Sequence, residues 1–140
     1  MKRIIAFSLF GILLICFIRK CVLSLSQNEF LRKRRAYIIE TITQDPEIFL
    51  SKTGVSADGL KFDLFKFNNS RHLTYFYYDK NNICDTIKEI FDRKQVKKQV
   101  DYLNRVYFNV NDNLWLNSDK TVRVVTTVDS AHFIETLTNF

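Results

Sequence analysis

Apolar and polar residues alternate along several short segments of this chain, and this period of two constrains the fold more than any other feature. The clearest case is residues 122–128 (VRVVTTV), in which every second position is Val or Thr. Successive side chains of a strand point to opposite faces, so such a segment presents one face to a core and the other elsewhere. Strands are predicted at residues 60–67, 71–78, 83–91, 114–117, 121–129 and 132–138.

Two capping patterns predict helices between these strands. Residues 26–29 (SQNE) have the form of a capping box, and the helix that follows should end at Asp45, because the residue before Pro46 is pushed out of the helical region. Residues 92–95 (DRKQ) resemble a second capping box, which predicts a break and then a helix over residues 93–106. Residues 51–59 (SKTGVSADG) are predicted to form a loop.

The order of elements is then one helix and three strands, twice. This order predicts an α+β fold with an antiparallel sheet of about six strands, two helices packed on one face, and an N-terminal hydrophobic helix before it. We expect residues 1–26 to be a signal peptide or membrane anchor and residues 27–140 to be a single domain. A chain of 140 residues is too short for a multidomain enzyme.

The segment 1–26 has the features of an export leader. A basic start precedes an apolar run of fifteen residues (IIAFSLFGILLICFI), and the small residues Ser24 and Ser26 suit cleavage before Gln27. The alternative is a retained anchor, although fifteen helical residues span only about 22 Å of a hydrocarbon core of about 30 Å. We expect export to the cell envelope, as a periplasmic or membrane-anchored protein. If the anchor is retained, the basic residues 32–35 (RKRR) downstream of the apolar run favour a cytoplasmic body instead.

The net charge of +6 comes from the N-terminal part of the chain. Residues 36–140 hold 13 basic and 14 acidic residues, so the body is close to neutral. A near-neutral body lacks the electrostatic surface that nucleic acid requires, and no nucleic-acid partner is expected. The basic block that follows the leader is a candidate contact with lipid headgroups or a partner protein. It consists of Arg32, Lys33, Arg34 and Arg35.

The cysteine content predicts a body that is stabilised by its hydrophobic core and not by an intramolecular disulfide bond. Cys16 and Cys21 lie in the leader, which leaves Cys84 alone in the body and without an intramolecular disulfide partner. We interpret Cys84 as a small buried residue of a strand. The alternative is a nucleophile or an intermolecular disulfide.

The motifs of common catalytic and cofactor sites are missing from the sequence. It contains no HExxH, CxxC, GxSxG or phosphate-binding loop, so we expect no enzyme activity, no metal and no cofactor. A hairpin that pairs Tyr78 with Ile83 would place His72 opposite Glu89. Such a cross-strand pair is interpreted as a surface ion pair rather than a catalytic one.

Four consecutive aromatic residues, at positions 75–78 (YFYY), form the second candidate contact. Because a strand alternates its faces, Tyr75 and Tyr77 point one way and Phe76 and Tyr78 the other. One pair is expected in the core, and the other pair can form a half-exposed patch that grips a sugar, a peptide or a protein. Tyr75 and Tyr77 are the candidate contact pair.

The same segments carry a resemblance. The aromatic strand TYFYYDKNNIC, the helix ending DYLNRVY, and then NLWLNSDKTVRVVTTV and HFIETL resemble the small exported proteins of unknown function that are abundant in Bacteroidota. The resemblance covers residues 60–140 and implies an envelope location without supplying an activity. Similar proteins are often lipid-anchored, and this chain departs from them because the bulky Ile15 precedes Cys16.

We therefore expect a non-catalytic envelope protein that acts as an accessory or binding subunit of a membrane or periplasmic assembly. Its expected partners are an envelope protein and, if the leader is uncleaved, the membrane. A small inhibitor or immunity-type protein is the alternative, by analogy with rigid scaffolds of paired helix and strand units. A small hydrolase with a site assembled from scattered polar residues is a further alternative.

Cleavage of the leader is directly testable. The intact mass of the natively expressed protein is expected to correspond to a chain that begins at or near Gln27. A mass that retains Met1 would contradict cleavage and establish the anchor.

Overall fold

One antiparallel sheet of eight strands organises the computed structural model, which describes residues 27–68 and 70–140. The strands are β1 (Ile48–Val55), β2 (Lys61–Phe67), β3 (Leu73–Tyr78), β4 (Cys84–Asp92), β5 (Phe108–Asn111), β6 (Leu114–Leu116), β7 (Val122–Val128) and β8 (His132–Asn139). The predicted N-terminal hydrophobic helix falls on residues 1–26, outside the described residues.

Two α-helices accompany the sheet, α1 (Arg35–Ile42) and α2 (Val96–Val106). A short 3-10 helix precedes each of them, at Gln27–Phe30 and at Arg93–Gln95. The described chain is therefore one helix followed by four strands, twice. Neither α-helix, nor any other helix in the described ranges, is long and apolar enough to cross a membrane.

The strand order is β1-β2-β3-β4-β8-β7-β6-β5. Each half of the chain forms its own antiparallel meander, and the two meanders join where β4 pairs with β8. That central pair runs from Thr86 opposite Thr138 to Asp92 opposite His132. The sheet is thus continuous across both halves.

Both helices pack on the same face of the sheet. Ile38 of α1 and Leu103 of α2 are buried in one cluster with side chains from every strand except β5. The strand residues of this cluster occupy alternate positions, as a half-buried strand requires. They include Phe65, Phe76, Tyr78, Ile87, Phe91, Trp115, Val122, Val124, Phe133 and Leu137.

The prediction of six strands is wrong, because the sheet also contains β1 and β5. These two are the edge strands, so each pairs with one neighbour only. All four residues of β5 are exposed, and the second half of β1 is largely exposed as well. An exposed edge strand needs no apolar alternation, which is why the polar residues 51–59 read as a loop.

The first helix is shorter than predicted. Ser26, the start of the expected capping box, lies outside the described residues, and the α-helix begins only at Arg35. The backbone before it pairs with the β3–β4 hairpin, where the Arg32 N–H donates to the Cys84 carbonyl at 2.8 Å and the Cys84 N–H donates to the Lys33 carbonyl at 2.9 Å. Backbone groups engaged in this way are not available for a helix.

The predicted break at Asp92 is confirmed. The Asp92 carboxylate accepts a hydrogen bond from the Lys94 N–H at 3.0 Å and so starts the 3-10 helix that leads into α2. A polar side chain that satisfies a free N–H in this way favours a helix start.

A partly buried ion pair, with Asp63 inside and Arg35 at the surface, ties α1 to the sheet. The Arg35 guanidinium donates from Nε to Asp63 Oδ2 at 2.7 Å and from Nη2 to Asp63 Oδ1 at 2.8 Å. Asp63 lies on β2 with no exposed surface, and Tyr78 is buried beside the pair. Burial and the Asp63 charge raise the pKa of Tyr78 well above its usual range, so its hydroxyl stays neutral.

Loss of this pair should destabilise the fold. Arg35→Ala leaves the Asp63 carboxylate buried without its partner, which is expected to lower the free energy of unfolding by about 3 kcal/mol. The measurement is chemical unfolding of the variant. Arg34→Ala is the matched control, since Arg34 is an exposed residue of the same segment and should change stability by no more than about 0.5 kcal/mol. Equal stability of the two variants would show that the pair does not hold α1.

Candidate functional site

The face of the sheet opposite the helices carries three rows of side chains that no described element covers. None of these side chains belongs to the core cluster under the helices. The first row is Phe49, Lys66, Leu73, Ile90, Ile134 and Thr127. The second is Lys52, Leu64, Tyr75, Lys88, Thr136, Val125 and Leu114. The third is Gly54, Phe62, Tyr77, Thr86, Thr138, Arg123 and Leu116. We call these three rows the uncovered face.

Three aromatic rings form the centre of one half of the uncovered face. The Phe62 ring centroid lies 5.7 Å from that of Tyr75 and 6.0 Å from that of Tyr77. The two Tyr rings are stacked, with centroids 6.1 Å apart and planes inclined by 13°. Phe62 packs directly over Gly54, where a Cβ atom would lie 3.0 Å from the ring. The three rings therefore pack against one another on this face.

The charged residues within the three rows are all basic, and carboxylates lie only at the margin of the face, where Thr86 Oγ1 donates to Asp85 Oδ2 at 3.4 Å and where burial, then Tyr75 and then the Asp58 charge raise the pKa of Tyr77. The charged residues of its three rows are Lys52, Lys66, Lys88 and Arg123. No carboxylate occupies a position in these rows of the described strands. The face is thus apolar and aromatic with basic groups spread across it, although the body of the protein is near neutral.

The basic block predicted as a contact is divided by the structure. Arg32, Lys33 and Arg34 are exposed on the segment that pairs with the β3–β4 hairpin. Arg35 does not belong with them as a free contact, because its guanidinium binds Asp63. Tyr75 and Tyr77, the other predicted contacts, lie on the uncovered face, while Phe76 and Tyr78 are buried in the core.

A second candidate site is a group of polar side chains inside the core. His72 Nε2 lies 2.8 Å from Glu89 Oε1, and the imidazole is stacked between the rings of Phe67 and Phe91 with both centroid distances at 4.3 Å. Glu89 is only 5 % exposed. The interpretation of this contact as a surface ion pair is therefore wrong. Tyr78 pairs with Cys84 and not with Ile83 as predicted, and a register shift between Tyr77 and Tyr78 adds one more residue, so Thr74, not His72, lies directly opposite Glu89.

Glu135 faces the same interior. It lies directly opposite Glu89 on the neighbouring strand and is 3 % exposed. Its Oε1 atom has no hydrogen-bond partner among the described residues. Burial, and then the negative charge of Glu89, raise the pKa of Glu135 to about 9.

These groups line a cavity of about 400 Å³ between α2 and the centre of the sheet. Glu89 and Glu135 lie on its sheet side, and Tyr102 and Tyr107 contribute from the helix and its end. The Tyr107 hydroxyl donates to Asn28 Oδ1, which attaches this wall to the N-terminal 3-10 helix. The cavity has the size of the smaller ligand pockets found in proteins.

Other reactive groups are positioned without an evident chemical task. Cys84 is fully buried, and burial together with the charge of Asp85 raises the pKa of its thiol to about 12, so it stays protonated. No group of three His, Cys, Asp or Glu side chains in the described parts of the chain could hold a metal ion.

The sequence interpretation missed Glu135, Phe62 and Lys88. The signal for Glu135 was its phase, because it alternates with Phe133 and Leu137 and so shares their inward face. The same phase argument applies to Glu89. A carboxylate at an inward position of a strand is the pattern that predicts a buried polar site.

Comparisons with known proteins give no family for this chain. No family model, no curated protein and no solved structure matches it. The resemblance to exported Bacteroidota proteins stays a prediction.

The raised pKa of Glu135 predicts how stability depends on pH. The folded protein keeps this proton at pH values where the unfolded chain, with an ordinary carboxyl pKa near 4.5, has lost it. Stability should therefore fall as the pH rises from about 4.5 towards 9, by up to about 1.4 kcal/mol per pH unit, and should level off above that range.

Glu135→Gln should remove that contribution, because the amide stays neutral at every pH. Urea unfolding between pH 5 and pH 9 should show a flatter profile than the parent, with a growing advantage for the variant at the upper end. Glu40→Gln, an exposed change of the same kind on α1, should follow the parent. Parallel profiles for Glu135→Gln and the parent would contradict the raised pKa.

Proposed function

We propose that this chain is a non-catalytic, exported subunit that binds an acidic partner protein of the cell envelope through its uncovered face. The observation that carries the proposal is that face itself, a continuous apolar and aromatic surface outside the core cluster. Large exposed apolar patches on a folded protein commonly mark interaction sites. The predicted leader at residues 1–26 supports the envelope location.

The size of the uncovered face supports a protein as the occupant. The three rows cross seven strands at a spacing of about 4.8 Å and span five residues along a strand such as β3, so they measure about 29 Å by about 17 Å. The face therefore offers about 500 Å². This is about the area that one partner contributes to the smaller, transient protein interfaces.

The composition of the face supports the same occupant. Tyr is enriched in protein interfaces because its ring supplies apolar area while its hydroxyl can bind a polar group. The stacked rings of Tyr75 and Tyr77 are already ordered against Phe62, so little side-chain entropy remains to be lost when a partner binds.

The charge of the face supports an acidic partner. Lys52, Lys66, Lys88 and Arg123 are spread across the rows, with no carboxylate among them. Two copies placed face to face would bring like charges together, which disfavours a symmetric dimer through this surface. A partner with acidic side chains around an apolar centre is complementary to it.

A charge reversal at the centre of the face should abolish binding. Lys88→Glu is expected to weaken retention of the partner by about tenfold or more, because it places a carboxylate against an acidic surface. The replacement of both Tyr75 and Tyr77 by Ser should have a similar effect through the loss of two aromatic contacts. Lys97→Glu is the matched control, since Lys97 is exposed on α2, on the other side of the sheet.

The measurement is quantitative recovery of partner proteins by the tagged full chain from its native host in mild detergent. A protein that is retained by the parent and by Lys97→Glu and lost with Lys88→Glu supports the proposal. Recovery that is equal for the two charge reversals contradicts it. Binding of the chain to anionic vesicles that Lys88→Glu abolishes, without a retained protein, would assign the face to a membrane instead.

A further inference from the structure

We propose that the cavity between α2 and the sheet binds a small primary amine, with its ammonium group against Glu89 and Glu135. This site lies on the helix side of the sheet, away from the uncovered face. It does not depend on the proposed function, because neither carboxylate is in the three rows of that face.

Glu135 has a buried carboxyl oxygen without a hydrogen-bond partner among the described residues. This side chain is 97 % buried, since only 3 % of it is exposed, and it lines the cavity. Its Oε1 has no hydrogen-bond partner in the described chain. A buried polar atom without a partner costs free energy, so the fold retains an acceptor here that a ligand can satisfy.

The two glutamates of the cavity determine that the bound group should be positively charged. Glu89 and Glu135 are directly opposite each other on β4 and β8, so two carboxyl groups meet at one point of the cavity wall. A positive group between them would stabilise both groups in the carboxylate form and donate hydrogen bonds to them. A primary ammonium fits this place, because it has three N–H donors and no acceptor.

A metal ion is the simplest alternative cation for this cavity, and the described residues do not provide a site for it. A metal site needs at least three suitable ligands around one point, and no such group exists in the described residues. The walls combine polar side chains with three aromatic rings, and Phe91, Tyr102 and Tyr107 line the same space as the carboxylates. Aromatic faces favour organic cations, and the apolar part of an amine can pack against them.

Basic side chains at the rim of the cavity limit the charge that the far end of the ligand can carry. Lys98 and Arg105 also line the cavity, and both are exposed residues of α2, so they lie at its rim. A second positive charge on the ligand would meet these side chains. The site should therefore take molecules with one amine and a neutral or anionic tail, in preference to diamines.

The titratable side chains that line the cavity with Glu135 come from three parts of the chain. They are His72, Glu89, Lys98, Tyr102, Arg105 and Tyr107. Because the pKa of Glu135 is raised, this residue carries a proton near pH 7 when the cavity holds no cation. An entering ammonium takes the place of that proton, so binding should release about one proton.

The experiment is isothermal titration calorimetry of the full chain, as purified from its native host, at pH 7. The probes are n-butylamine, 4-aminobutanoate, 1,4-diaminobutane and butanoate. Butylamine and 4-aminobutanoate are expected to bind, the diamine to bind more weakly, and butanoate not to bind. Titrations in two buffers of different ionisation enthalpy should show release of about one proton per amine bound.

The variants decide the location of the site. Glu135→Gln should weaken amine binding by about tenfold or more and abolish proton release. Glu40→Gln, the exposed control, should leave both unchanged, and thermal unfolding verifies that each variant is folded. No binding of either monoamine to the folded parent would overturn the proposal. Binding that Glu135→Gln leaves intact, or equal binding of butanoate, would also overturn it.

Discussion

The structure depends on the pairing of β4 with β8. This is the strand pair through which the two meanders become one sheet, since every other pair joins strands of the same half. The pair aligns seven residues of each strand. As a result, one core extends under both helices, and Glu89 meets Glu135 within it. The same alignment makes the uncovered face continuous. Lys88 of β4 lies opposite Thr136 of β8, and Ile90 lies opposite Ile134.

The sheet of eight strands has two faces, and the two short helices cover one of them. The Arg35–Asp63 ion pair holds α1 against that face, and Leu103 anchors α2. No element of residues 27–68 and 70–140 covers the opposite face, which carries aromatic, aliphatic and basic side chains. This imbalance between the width of the sheet and the size of its helices is the physical reason to assign binding to the uncovered face.

The sequence predicts the interior strands of this fold well and its edges poorly. Interior strands pack a face against the core, so their alternation is visible, as in residues 122–128. The edge strand β5 has no buried residue and gives no such signal. The candidate contact residues were also predicted only in part. Alternation separates Tyr75 and Tyr77 from the buried Phe76 and Tyr78. The role of Arg35 depends on Asp63, which is 28 residues away, and no local sequence pattern reveals that contact.

The central claim is that the uncovered face, and not the helix side, meets a partner protein. Site-specific photocrosslinking in the native host tests it most directly, with p-benzoylphenylalanine at position 77 or, as a control, at position 37. Tyr37 is an exposed tyrosine of α1, so both sites replace the same residue type on opposite sides of the sheet. The account predicts a discrete crosslinked heterodimer from position 77 and none from position 37. Crosslinks from position 37 alone, or a crosslinked homodimer from position 77, would contradict it.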